Sequence, residues 1–300
     1  MSKGYYKFST YFKNKGLKER VQKVTVDAGF SCPNRDGKIS DEGCIYCNNE
    51  GFSPNTRKAF DSIERQIHEG IKRSMAKKFI VYFQAYTNTY APLERLKEVY
   101  DTARKFKDVI GISIATRPDC VTKDIIDLIE LYTKDYEVWV EYGLQTIHKK
   151  TLEFINRGHL YEDFLKAVDL TRKKDNIKIC AHVIIGLPFE DEGMIIETAR
   201  SVANLKLEGI KIHPLHIIKG TRLEELYRVG KFKVLELEEY IDLAVKFLEH
   251  LWPETVIQRI SADCPRDLLV APLWILDKSK VLAGIEQKDT FQGRLYKETA

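Results

Sequence analysis

The feature that most constrains this chain is a rhythm: short β-branched or aromatic runs alternate with segments whose apolar residues recur every three or four positions. The runs are VQKVTVDA from Val21, FIVYFQAY from Phe79, VIGISIAT from Val109, YEVWVEYGLQT from Tyr136, IKICAHVIIGLP from Ile177 and GIKIHPLHI from Gly209. Between them, Phe60, Ile63, Ile67, Ile71 and Met75 form one apolar stripe, and Leu93, Leu96, Tyr100 and Ala103 form another behind Pro92. Thr122 caps a third helix carrying Ile125, Leu128, Ile129 and Tyr132; Phe164, Ala167, Val168 and Thr171, then Ile195, Ala199 and Val202, mark two more. Strand, helix, strand, repeated, builds a parallel sheet, because each helix carries the chain back to start the next strand in the same direction. Six such units fall short of a closed eightfold barrel. The expected fold is therefore α/β, an open partial (β/α)6 TIM-like barrel with helices outside and a C-terminal helical and strand extension. A doubly wound sheet is the alternative. The expected division is a basic and aromatic N-terminal segment (1–20), the barrel core (21–220) and an extension capping the barrel mouth (221–300).

Composition narrows the class further. With 44% hydrophobic and 31% charged residues over 300 positions, the chain can bury a large core, which excludes disordered and fibrous types. No apolar stretch approaches the roughly 20 residues of a membrane span, and the start MSKGYYKFSTYFKNK lacks a secretory h-region, so a cytoplasmic location is expected. Forty-eight Lys and Arg against 44 Asp and Glu lean only weakly toward anionic partners. Six cysteines are too few for a disulfide scaffold, so their positions decide their meaning.

One connection breaks the rhythm. Residues 29–57, between the first strand and the first helix, show no periodicity and hold Cys32, Cys44 and Cys47. This loop leaves the C-terminal end of the first strand, the face on which barrel-type folds gather their chemistry. Three thiols in one loop suit an incomplete zinc site, a disulfide plus a spare, or three ligands of an iron-sulfur cluster. A structural zinc wants four ligands, and the nearest further donors are His68 and Cys120. A four-iron cluster on three cysteines leaves one iron open, which is useful only if a substrate or cofactor binds there.

The sequence Cys44-Ile45-Tyr46-Cys47 resembles the cluster loop of the radical SAM enzymes, and the spacer of eleven residues between Cys32 and Cys44 is similar to that of the Elongator catalytic subunit and its bacterial relatives. GFSCPNRDG, GCIYCNN, ATRPD at 115–119 and SADCP at 261–265 together resemble the YhcC/YtqA-type group. The resemblance implies an enzyme in which Cys32, Cys44 and Cys47 hold a [4Fe-4S] cluster that cleaves S-adenosylmethionine to a 5′-deoxyadenosyl radical. A low-potential electron donor of flavodoxin or ferredoxin type is implied with it.

The same resemblance assigns expected cofactor contacts. Tyr46 would lie beside the adenine, and Gln84 and Thr87 at the end of strand two would stand near the methionine amino group, although the usual Gly-Gly-Glu type sequence is absent. Thr116 lies in the third-strand motif, where relatives carry a glutamate at the position of Ala115. Glu141 and Gln145, spaced to share a strand face, would bond the ribose, and Arg157 in FINRGH would clamp the methionine carboxylate. His182 falls where relatives place an Asp or His near the cofactor; a histidine in an apolar run is otherwise commonly a core residue. Strict alternation sends only one of His213 and His216 into the barrel. Cys264 is a substrate-side candidate or an inert thiol.

For the substrate, the Elongator-like resemblance implies the C5 side chain of a tRNA wobble uridine. The alternatives are a small-molecule or protein substrate, a barrel that holds a cluster without turnover, or a zinc-stabilised nucleic-acid-binding protein. Lys3, Lys7, Lys13, Lys15, Lys18, Arg20 and Lys23, interleaved with Tyr5, Tyr6, Phe8, Tyr11 and Phe12, would suit a phosphate backbone with stacked bases. Termini of this kind more commonly pack on their own domain.

Overall fold

The computed structural model describes residues 4–53, 55–57 and 62–288. Its strands are β1 (Val21–Val26), β2 (Lys78–Phe83), β3 (Val109–Thr116), β4 (Glu137–Gln145), β5 (Ile177–Ile185), β6 (Gly209–Pro214), β7 (Ile217–Ile218), β8 (Val256–Arg259) and β9 (Leu269–Ala271). Seven of them form one sheet in the order β1-β2-β3-β4-β5-β6-β8, every pair parallel. An order that never reverses has no switch point, which excludes the doubly wound alternative. The sheet curls into a partial barrel, and Lys23 of β1 reaches Glu141 of β4 and Gln258 of β8 across its interior. The small β7 and β9 pair antiparallel apart from it.

The helices are α1 (Phe8–Asn14), α2 (Asn49–Phe52), α3 (Ile63–Lys72), α4 (Leu93–Asp101), α5 (Lys123–Glu130), α6 (Lys149–Phe154), α7 (Tyr161–Arg172), α8 (Glu192–Asn204), α9 (Arg222–Arg228), α10 (Leu237–Glu249) and α11 (Lys278–Lys288). Their starts follow capping chemistry: the side chains of Ser62, Thr122 and Asp191 accept bonds from the backbone N–H groups of Arg65, Ile125 and Met194. Apolar stripes then face the sheet, with Ile67, Leu96, Tyr100, Ile129, Phe164, Val168, Ala199 and Val202 all buried. Two expected stripe members fall outside: Met75 is 89% exposed because α3 ends at Lys72, and Leu93 sits half-exposed in the first turn of α4. Phe60 lies outside the described residues.

The C-terminal segment departs from a simple cap. Val256–Arg259 pairs with β6 as a seventh parallel strand, and α10 packs against α8 and α11 in the outer layer, so the strand–helix rhythm continues past Gly220. The change of rhythm in the sequence comes from β7 and α9, inserted between β6 and α10.

The N-terminal aromatics pack inward. Phe8 and Tyr11 meet Trp139 edge-on at 5.9 and 5.7 Å, the Tyr11 hydroxyl donates to Glu137, and Lys15 pairs with Glu137 at 2.6 Å. The Tyr6 carbonyl accepts the Ile257 N–H at 2.7 Å, continuing the sheet edge. Phe8 and Tyr11 thus cover Trp139 at the base of the barrel. Lys3 lies outside the described residues.

Candidate active site

The C-terminal ends of the sheet strands and the loop after β1 enclose one cavity, as a barrel of this kind dictates. Cys32, Cys44 and Cys47 line it, with Tyr46, Gln84, Thr87, Thr116, Glu141, Gln145, Arg157 and His182. Cys264 does not line it; that thiol donates to the Pro265 carbonyl at 3.6 Å.

The cysteine loop is anchored around Cys44 and Cys47. Ile45 N–H donates to the Ile155 carbonyl at 3.1 Å, Leu223 N–H to the Ile45 carbonyl at 2.9 Å, and Arg35 Nη2 to the Cys47 carbonyl at 2.5 Å. Burial, and then the neighbouring Cys44, push the Cys47 thiol up to about 11, so the fold alone disfavours its thiolate; a bound cationic centre would reverse this. The thiols are spread more widely than ligands of one ion. Among the described residues, the trio with ligand atoms all within 4.8 Å is Glu141, Cys180 and His182, not the three loop cysteines. Tetrahedral zinc would draw its sulfurs to about 3.8 Å from one another. Three cysteine sulfurs beside a buried guanidinium are a donor set that fits a multi-iron cluster, whose ligands sit on different irons.

Two buried guanidinium groups stand behind the loop. Arg117 is neutralised by a two-bond fork to Asp119 at 2.8 and 2.9 Å, and its Nη1 donates to the Arg157 carbonyl at 2.9 Å. Arg157 donates from Nη2 to the Gly143 carbonyl at 2.8 Å and from Nη1 to Cys44 Sγ at 3.6 Å. Among the described residues no carboxylate pairs with Arg157, so a buried cation faces the cavity with charge to spare. Its approach requires Gly143, where a Cβ would lie 2.5 Å from Arg157 Nη2.

The other expected contacts are partly engaged within the protein. Gln84 Nε2 donates to the Phe52 carbonyl, and Thr116 Oγ1 shares a 2.6 Å bond with Thr89 Oγ1. Gln145 adopts φ 72° at a register shift in β4, where the strand ends at the cavity. Tyr46 is half-buried, with its hydroxyl pushed well up by burial and then by Cys44.

Glu141 differs most from expectation. It is fully buried and already accepts four donors: Lys23 and Ser113 on Oε1, and Lys211 at 2.5 Å and His182 at 2.6 Å on Oε2. Burial alone would raise its pKa, but the Lys211 and Lys23 ammonium groups and the His182 bond hold it well below the usual carboxylate range. Burial in turn lowers His182 to about 4 and Lys211 to about 7, Glu141 opposing both. The carboxylate is thus the counter-ion of a buried cationic floor, with both oxygens engaged within the protein. The same two ammonium groups disfavour a cation at the Glu141, Cys180 and His182 trio.

Several lining residues were hidden in the sequence. Lys211 sits mid-strand, 3.8 Å from the centroid of the Tyr82 ring, where a lysine in a short strand reads as a solvent face. Arg259 lines the same end of the cavity from β8. His213 and His216 both line it, because β6 ends at Pro214 and alternation stops there. His216 Nδ1 bonds the Pro214 carbonyl, while its buried Nε2 has no partner among the described residues.

A family model described as the Radical SAM superfamily matches residues 35–202, and the Radical_SAM C-terminal domain matches residues 207–289. The YtqA protein of Bacillus subtilis is 42% identical over 287 residues, 92% of this chain and 88% of its own length. A tRNA uridine(34) acetyltransferase of Methanocaldococcus jannaschii is 32% identical over 183 residues, 59% of this chain and 32% of that protein. The solved structure of an archaeal Elp3 from Methanocaldococcus infernus superposes with a TM-score of 0.63 at 21% identity, covering 89% of this chain and 63% of that one. That likeness speaks for the fold.

Proposed function

This chain belongs to the radical SAM superfamily as an enzyme that uses a [4Fe-4S] cluster and S-adenosylmethionine, and on that premise we propose that it modifies the C5 side chain of a tRNA wobble uridine. The cluster and S-adenosylmethionine, when bound, supply one-electron cleavage of the sulfonium to methionine and a 5′-deoxyadenosyl radical. The observation that carries the site reading is the meeting, in one cavity at the strand ends, of three thiols and a buried guanidinium that no carboxylate pairs among the described residues. Cys32, Cys44 and Cys47 hold the cluster. Arg157 receives the methionine carboxylate through its fork, Tyr46 flanks the adenine, and Gln84, Thr87, Thr116 and Gln145 offer polar atoms along the cofactor. Glu141 and His182 act from beneath, fixing Lys211 and Lys23 as a positive floor. The electron enters from a low-potential donor of flavodoxin or ferredoxin type.

In the cavity lining Arg35, Arg157, Lys211 and Arg259 outnumber Glu141 and Asp263, to which Lys211 and Arg259 are paired, and this balance supports a negatively charged substrate. A nucleic acid meets that requirement, and the partial relative named a tRNA uridine(34) acetyltransferase directs the choice to the wobble uridine. The test is mass spectrometry of nucleosides from tRNA of a strain lacking the gene. A wobble-uridine derivative should disappear while its precursor accumulates; an unchanged nucleoside profile would reject this substrate.

The assignment of Arg157 gives a separate expectation. Gly143→Ala places a methyl 2.5 Å from Arg157 Nη2 and 2.8 Å from Gln145 Nε2, so the guanidinium must shift away from the cavity wall. Binding of S-adenosylmethionine to the reconstituted protein should weaken by roughly tenfold, about 1.4 kcal/mol. Calorimetric titration checks it, with iron content unchanged.

A further inference from the structure

We infer that Asn34, supplied by the long spacer between Cys32 and Cys44, sets the reduction potential of the cluster by donating an N–H···S bond to Cys44. This inference rests on the proposed role of Cys44 as a cluster ligand. The spacer turns back at once after Cys32, whose carbonyl accepts the Arg35 N–H at 2.8 Å and the Asp36 N–H at 3.2 Å. The turn drives Asn34 inward, where it is 1% exposed. One hydrogen of its amide goes to the Asn156 carbonyl at 2.7 Å and the other points at Cys44 Sγ at 3.6 Å. Both neighbours are acceptors, so the opposite orientation of the amide would set its oxygen against a carbonyl oxygen and a sulfur.

The surroundings fix this orientation at a cost. Asn34 Oδ1 is buried with no partner among the described residues. It lies where a Cβ on Gly158 would come within 2.7 Å, and Gly158 adopts φ +72°, so glycine there both permits the turn and leaves room for the amide. Asn156, next but one in sequence, returns the clasp by donating to the Gly43 carbonyl at 2.7 Å. A buried amide with one unsatisfied oxygen, held on both sides and aimed at a sulfur, is a costly arrangement for packing alone.

Its physical effect has a definite sign. Reduction adds negative charge to the cluster and its thiolates, so an N–H dipole aimed at Cys44 Sγ stabilises the reduced state and raises the potential. Arg157 supplies a second, charged donor to the same sulfur, and Asn49 Nδ2 stands 3.6 Å from Cys47 Sγ. Asn34 is a positioning and tuning residue and touches no substrate.

The test is an EPR-monitored redox titration of the full reconstituted protein and of Asn34→Leu and Asn34→Asp. Asn34→Leu should keep its iron and sulfide, while at a fixed potential the oxidised-to-reduced ratio rises roughly tenfold, about 59 mV downward for a one-electron couple. Asn34→Asp, of nearly the same shape but with no donor, should shift at least as far. Midpoints equal to wild type in both variants would overturn the inference. Loss of the cluster from both, with native circular dichroism, would overturn it too by assigning Asn34 a purely structural role. Failure of the wild-type protein itself to bind a cluster would instead remove the reading of Cys44 on which the inference stands.

Discussion

Cys44→Ala should abolish cluster assembly and lower 5′-deoxyadenosine formation by at least about 10³-fold, since a cluster on two thiolates has lost one of its three anchors. Cys44 is the most buried of the three loop cysteines, 7% exposed, and receives both Asn34 and Arg157. Its loss would leave a cationic guanidinium facing a void. Cys32→Ala and Cys47→Ala should behave alike. Cys120→Ala, which lies off the cavity, should retain the cluster absorbance of wild type. The measurement is the visible spectrum and iron content after anaerobic reconstitution, followed by quantified product.

Glu141→Gln should destabilise the fold by about 3–5 kcal/mol, because removing one member of a buried ionic cluster leaves its partners uncompensated. Two ammonium groups, Lys23 and Lys211, and the His182 ring converge on this one carboxylate in the barrel interior. Glutamine keeps the volume and loses the charge, so the effect reports electrostatics and not a cavity. Adding Lys211→Met to Glu141→Gln should recover part of the loss, since it removes one of the stranded cations. The pH dependence has a fixed sign. Glu141 is held below its unfolded pKa, so its contribution is complete above about 4.3 and is lost as pH falls through the lower folded value. The stability gap between wild type and Glu141→Gln should therefore be widest in mildly acidic solution, where Lys211 is charged, and shrink both in strong acid and as pH rises towards about 7, where Lys211 gives up its proton. Urea unfolding across that range checks both statements.

How much of this could be read from the chain depended on whether neighbouring residues alone fix a position. The six strands announce themselves through β-branched runs, because a parallel sheet covered by helices buries both faces of its strands. The three cysteines stand out because a loop without periodicity has no packing reason to hold them. Long-range partnerships were hidden. Lys23, Glu141 and Lys211 come from three strands that meet only when the sheet curls, and nothing local marks a lysine as buried. His216 escaped the alternation rule because it lies beyond the end of β6. The N-terminal aromatics carried two meanings, and the packing of Phe8 and Tyr11 depends on Trp139, a residue far along the chain. The contact of Asn34 with Cys44 depends on the turn after Cys32, which no local pattern in the spacer marks.

The central claim is that the cavity at the strand ends holds a four-iron cluster that cleaves S-adenosylmethionine. Anaerobic reconstitution with iron and sulfide, followed by dithionite and S-adenosylmethionine, tests it most directly. The account predicts about four irons per chain and 5′-deoxyadenosine that depends on all three loop cysteines. About one zinc per chain with no sulfide, or a complete cluster that yields no 5′-deoxyadenosine even with added tRNA, would contradict it.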